Sequence, residues 1–106
     1  APGRPAALAG RRLLVADAAP ANRLLLAAVF KRRGASVSLA ATSDEALALG
    51  QAALAGGHPF DLIVLDVHLR ERSGVATAHA LRVAGHSGPL IACTTGDERG
   101  APRCAG

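Results

Sequence analysis

Aromatic residues are nearly absent from this 106-residue chain: there is no tryptophan or tyrosine, and Phe30 and Phe60 are its two phenylalanines. Methionine is missing as well. The core must therefore be built from alanine, leucine, valine and isoleucine, and a surface that stacks nucleic-acid bases on aromatic rings is excluded. Lysine occurs once, at Lys31, so arginine carries nearly all the positive charge behind the net +4. That charge is read as a solvated surface with no direct nucleic-acid role. The two cysteines, Cys93 and Cys104, lack metal-type spacing, which argues against a disulfide framework and against a zinc site, and both are expected as reduced thiols. No apolar run reaches the roughly 18–20 residues of a membrane span, and the N-terminus lacks the basic-then-apolar order of a secretory signal. No membrane partner is expected, and the expected location is the cytoplasm.

Half of the residues are apolar and 19% are charged, a globular composition with room for one core. The opening Ala1-Pro2-Gly3-Arg4-Pro5 reads as a linker. We expect residues 1–11 to be linker and 12–106 to be the domain, a module cut from something longer.

From Arg12 onward short apolar runs alternate with longer helical ones, the pattern of βα units around a parallel sheet. Leu13–Ala16 is a first strand. Pro20 suits the first turn of a helix with apolar face Leu24, Leu25, Ala28 and Val29, closed by Gly34. Ala35–Ala40 alternates Val37 and Leu39 with serines, as an edge strand with one wet face would. Thr42-Ser43-Asp44-Glu45 is a capping box that starts a helix through about Leu54, ended by Gly56-Gly57. Phe60–Leu65 is nearly continuous in apolar character and belongs at the sheet centre. A helix over Val75–Ala84 then leads to a last strand, Pro89–Cys93. The tail from Gly96 to Gly106 carries too much glycine and proline for an assignment.

Three strands end in an oxygen-bearing side chain: Ala16 gives way to Asp17, Leu65 to Asp66, and Cys93 to Thr94. In an open parallel sheet these ends line one rim, where ligands bind at the crevice between diverging connections. Two carboxylates converging there repel by roughly several kcal/mol at low dielectric, which a divalent cation would relieve. Oxygen-only donors point to magnesium. Such a metal leaves one carboxylate free as a nucleophile, and Asp66, on the most buried strand, is the better candidate. The bland alternatives are a turn-forming acid for Asp17 and a strand-end threonine bonded to its own backbone for Thr94.

The segments Leu13-Leu14-Val15-Ala16-Asp17-Ala18-Ala19-Pro20-Ala21-Asn22-Arg23, Phe60-Asp61-Leu62-Ile63-Val64-Leu65-Asp66-Val67-His68-Leu69 and Gly88-Pro89-Leu90-Ile91-Ala92-Cys93-Thr94 resemble, in order and spacing, the receiver domain of response regulators and hybrid histidine kinases. The resemblance spans about Arg12 to Thr94. It implies an α/β, flavodoxin-like three-layer fold with a parallel sheet in order 2-1-3-4, lacking the family's fifth strand and last helix. It further implies that Asp66 is the phosphoacceptor, Asp17 a metal-site acid, His68 a metal ligand through its main-chain carbonyl, and Thr94 the hydroxyl that follows the phosphoryl group. The implied chemistry is in-line transfer to Asp66 from a phosphohistidine of a histidine kinase or histidine phosphotransfer domain, with magnesium neutralising the oxygens. Such a chain is a phosphoacceptor and not an enzyme in its own right.

Several positions depart from the family pattern. Ala18 stands where the loop normally has a second acid, so magnesium binding weaker than in a complete receiver is expected. Arg70 replaces a usual proline and Ser73 a common acid. The clamp lysine of a fifth strand has no counterpart, since Lys31 sits in the first helix. Without that strand, Leu90–Cys93 is expected at a bare sheet edge open to self-association, with marginal stability. Two other readings remain: a degenerate receiver serving only as a protein-interaction module, and a fragment of a haloacid-dehalogenase-type phosphohydrolase. The second is disfavoured because His68, not an aspartate, follows the nucleophile by two. His58, His79 and His86 show no clustering with acids and are read as turn and surface residues, none of them a phosphodonor.

Overall fold

The computed structural model describes residues 8–69, 72–94 and 103–105, with side chains at 8–69 and 72–92. Five strands and three helices follow one another as β1 (Arg12–Ala16), α1 (Pro20–Arg32), β2 (Ser36–Ala40), α2 (Ser43–Ala55), β3 (Leu62–Asp66), α3 (Gly74–Ala84), β4 (Leu90–Thr94) and β5 (Arg103–Ala105). The first four strands are mutually parallel in the expected order β2-β1-β3-β4.

Beyond that, β5 pairs antiparallel with β4 over Ala92–Thr94. The expected bare edge of β4 is therefore covered along that stretch, and β5 takes its place as the edge strand. The tail composition hid this strand, which is three residues long. No parallel fifth strand is present among the described residues.

Alternation along the central strands divides the core in two. Leu14, Ala16, Ile63 and Leu65 join Ala46, Ala53 and Leu81 of α2 and α3 on one face. Val15 and Val64 join Leu26 and Phe30 of α1 on the other. A strand buried on both faces needs an unbroken apolar run, as β1 and β3 have. Burying a leucine or valine of this kind contributes about 1.5–3 kcal/mol.

The face expected for α1 is corrected. Leu24 and Leu25 are 63% and 64% exposed, Ala28 and Val29 are also exposed, and Ala27 is the helix's buried residue. Residues 24–29 are apolar throughout, so spacing alone could not choose among faces, and α1 is the lone described helix on its side of the sheet. Pro20 opens this helix as expected, and Gly34 follows its end at φ 94°.

Thr42 caps α2, its side chain accepting from the Glu45 amide at 3.1 Å. Glu45 reaches back one residue further than a standard capping box, accepting from the Ala41 amide at 2.8 Å. Between α2 and α3, the hydroxyls of Ser43 and Thr77 meet at 2.8 Å, and Thr77 also donates to the Ser73 carbonyl at 2.7 Å. Both hydroxyl side chains are fully buried, so each needs these partners.

His86 is not a surface residue, as expected from its turn, but is 2% exposed. Its Nε2 has no hydrogen-bond partner. Burial, reinforced by the Arg82 charge and partly opposed by a hydrogen bond to Pro89, pushes its pKa below the ordinary histidine value. Leu8 to Arg11, expected as linker, form a turn tied to the domain by the Leu8 amide donating to the Arg33 carbonyl at 2.8 Å. Among the described residues no helix is long and apolar enough to cross a membrane.

Candidate functional site

The connection β1-α1-β2 runs over one face of the sheet and β2-α2-β3 over the other, so the chain diverges at the carboxyl ends of β1 and β3. Their register pairs Ala16 with Leu65, which brings Asp17 and Asp66 side by side on that rim. Asp17 is 2% and Asp66 9% exposed. The Asp17 amide continues the ladder by donating to the Ala40 carbonyl at 3.0 Å, so its position is fixed by sheet geometry.

Each acid folds its own loop in the same manner. Oδ1 of Asp17 accepts from the Ala19 amide at 2.8 Å, and Oδ1 of Asp66 accepts from the His68 amide at 3.0 Å. This turn, in which a carboxylate accepts from the amide two residues on, orients the side chain and leaves its second oxygen for another partner. The two carboxyl groups lie within hydrogen-bond reach of one another. Burial raises the Asp17 pKa above the usual carboxylate range; the Ala19 amide draws it back, and the neighbouring Asp66 raises it further. Arg23 brings positive charge to this pair, drawing the Asp17 pKa down and donating from Nη1 to the Asp17 carbonyl at 2.6 Å.

These donors fit a hard cation that takes oxygen ligands and keeps several waters, such as magnesium. No group of three or more histidine, cysteine, aspartate or glutamate side chains able to hold a metal occurs among the described residues, which offer two carboxylates and main-chain carbonyls at this rim. The His68 side chain is exposed, while its amide is held against Asp66. Thr94 ends β4, one residue past the Cys93 that pairs with Asp66, so its backbone reaches the same rim. Its hydroxyl lies outside the described side chains, as does all of Arg70. Ala18 supplies no oxygen donor from its side chain.

Gly74 also belongs to the site. Its amide donates to the Val67 carbonyl at 3.1 Å, and a Cβ placed on it would lie 2.4 Å from the Asp66 carbonyl oxygen. The first turn of α3 therefore presses on the backbone of the acid itself. The signal available in the sequence was a glycine at a helix start where Ser73 already provides the cap, accepting from the Ala76 amide at 3.1 Å.

The family model described as response regulator receiver domain matches residues 13–104. Among solved structures, the receiver domain of the histidine kinase CKI1 from Arabidopsis thaliana, complexed with Mg2+, is 27% identical with a TM-score of 0.76; the match covers 86% of this chain and 72% of that one. The chemotaxis protein CheY4 of Vibrio cholerae is 27% identical with a TM-score of 0.71, covering 83% of this chain and 71% of that one. The response regulator protein TrrA of Thermotoga maritima, in complex with Mg(2+)-BeF, is 26% identical with a TM-score of 0.64, covering 76% and 65%. No curated protein matches the chain.

Proposed function

We propose, since the chain belongs to the response regulator receiver domain family, that it accepts a phosphoryl group on Asp66 from the phosphohistidine of a histidine kinase or histidine phosphotransfer domain. The observation that carries this reading is the buried pair Asp17 and Asp66 on one rim. The His68 amide orients one oxygen of Asp66, and the other attacks phosphorus in line as the bond to the donor imidazole breaks. Asp17, with main-chain carbonyls including that of His68, would hold magnesium, which when bound offsets the charge on the phosphoryl oxygens. The Thr94 hydroxyl then follows the phosphoryl group. The chain takes up the group and does not turn over a substrate.

Ala18 favours a second reading, in which metal binding is weak and the domain serves only as a protein-interaction module. Treatment with acetyl phosphate and magnesium separates the two. The phosphoacceptor reading requires an added phosphoryl mass that is absent in Asp66→Asn. No added mass on a folded wild-type chain at saturating magnesium establishes the interaction module instead.

A further inference from the structure

With methionine absent, Cys93 and Cys104 hold the chain's only sulfur atoms. The antiparallel pairing of β4 with β5 sets these two residues directly opposite one another. Opposed residues of an antiparallel pair have Cα atoms about 4.5–5.5 Å apart, inside the window of about 4.4–6.8 Å that a disulfide spans. Two cysteines at positions 93 and 104 have been brought into register by the same strand that pairs with β4.

We propose that Cys93 and Cys104 form a reversible thiol pair that closes to a disulfide under oxidation and locks β5 onto β4. Three residues give β5 a short ladder, and a covalent link in its middle would hold that pairing for as long as the bridge stays oxidised. The bridge would sit one residue before Thr94, whose register partner is Arg103, and so would tether the strand end that reaches the acidic rim. The expectation of two separate reduced thiols then describes the reduced state alone.

The oxidant is a low-molecular-weight disulfide such as oxidised glutathione. The thiolate of one cysteine attacks it, forming a mixed disulfide and releasing one glutathione thiol. The second thiolate then attacks the protein sulfur of that mixed disulfide and releases the other glutathione. Two protein thiols are oxidised, one glutathione disulfide is reduced to two thiols, and the chain loses two hydrogen atoms. None of this needs magnesium, Asp66 or a phosphodonor, so failure of the phosphoacceptor reading leaves it untouched.

The test treats the whole chain, folded and without magnesium, with oxidised glutathione and reads intact mass and melting midpoint. The expected product is a monomer about 2 Da lighter, with the peptides of Cys93 and Cys104 linked and the mass restored by dithiothreitol. Its midpoint rises by roughly 10 °C, because the link closes a loop of about ten residues in the unfolded chain. Cys104→Ser, which leaves β4 intact, gives only a glutathione adduct on Cys93 and no rise. Wild-type protein that accumulates glutathione adducts or disulfide-linked dimers without the internal bridge overturns the proposal. So does an internal bridge that leaves the midpoint where the reduced chain has it.

Discussion

Replacing Gly74 with alanine is the sharpest test of how the acidic rim is built. The added methyl would fall 2.4 Å from the Asp66 carbonyl oxygen, 2.8 Å from its carbonyl carbon and 2.9 Å from the Val67 Cα. All three are backbone atoms, so no side-chain rotation relieves the clash, and either α3 or the loop after β3 must move. Overpacking of this kind costs about 1–3 kcal/mol. Alanine returns at most about 1 kcal/mol of helix propensity, and less in a first turn. The net loss is about 1–2 kcal/mol, a fall of roughly 5–15 °C in melting midpoint for a domain of this size. The displaced atoms belong to Asp66, the proposed phosphoacceptor, and a 1 Å misplacement at a reacting group can cost about a hundredfold in rate. A shift of several tenths of an ångström should slow phosphoryl uptake from acetyl phosphate by roughly tenfold. Gly50→Ala is the control: its Cβ would meet Leu81 Cδ2 at 2.5 Å, the far end of a flexible side chain, and uptake should match wild type. Urea titration followed by circular dichroism, with uptake followed by mass, measures both effects. A Gly74→Ala protein as stable as wild type, with unchanged uptake, would refute the reasoning.

Two further outcomes follow from the buried titratable groups. Because the Asp17 pKa is raised in the folded chain, the folded state holds its proton longer than the unfolded one, so this group lowers stability as pH rises above its unfolded value of 3.8. Asp17→Asn should therefore stabilise the metal-free chain at pH 7, while magnesium at a hundredfold excess over its Kd should add about 2.7 kcal/mol to wild type and none to the variant; equal magnesium shifts in thermal melts would count against the assignment. For His86 the sign is opposite: its folded pKa lies below the unfolded 6.5, so stability is complete above that value and declines as pH falls toward the folded pKa, at up to about 1.4 kcal/mol per pH unit. His86→Phe should flatten this decline in denaturant titrations run between pH 7.5 and pH 5.

Much of the architecture was legible because β1 and β3 read as strands in any context: unbroken aliphatic runs, each ended by an acid, leave little choice for strands buried on both faces. The Asp17 and Asp66 pair followed from strand ends sharing a rim, which needs only parallel topology. The misreadings are nonlocal in origin. Leu24 and Leu25 satisfy helical spacing as well as Leu26 does, and which face is buried depends on where α1 lands on the sheet. His86 looks like a loop residue until the α3 to β4 turn folds it inward, and Gly74 shows its purpose only beside the Asp66 backbone. The strand Arg103–Ala105 is specified by the partner it adds to, more than by its own three residues.

The hydroxyls of Ser43 and Thr77 have a mechanical consequence. Sliding α2 along α3 would break their hydrogen bond and strand the Ser43 hydroxyl in a dry interior, a penalty of about 1–3 kcal/mol, while Thr77 keeps its bond to the Ser73 carbonyl. The two helices are therefore coupled against shear and behave as one cooperative slab, opening together in hydrogen exchange while α1, on the opposite layer, is free to open on its own schedule. Rearrangement at the rim is thereby steered toward the loops and the far strands, and away from the α2 and α3 seam.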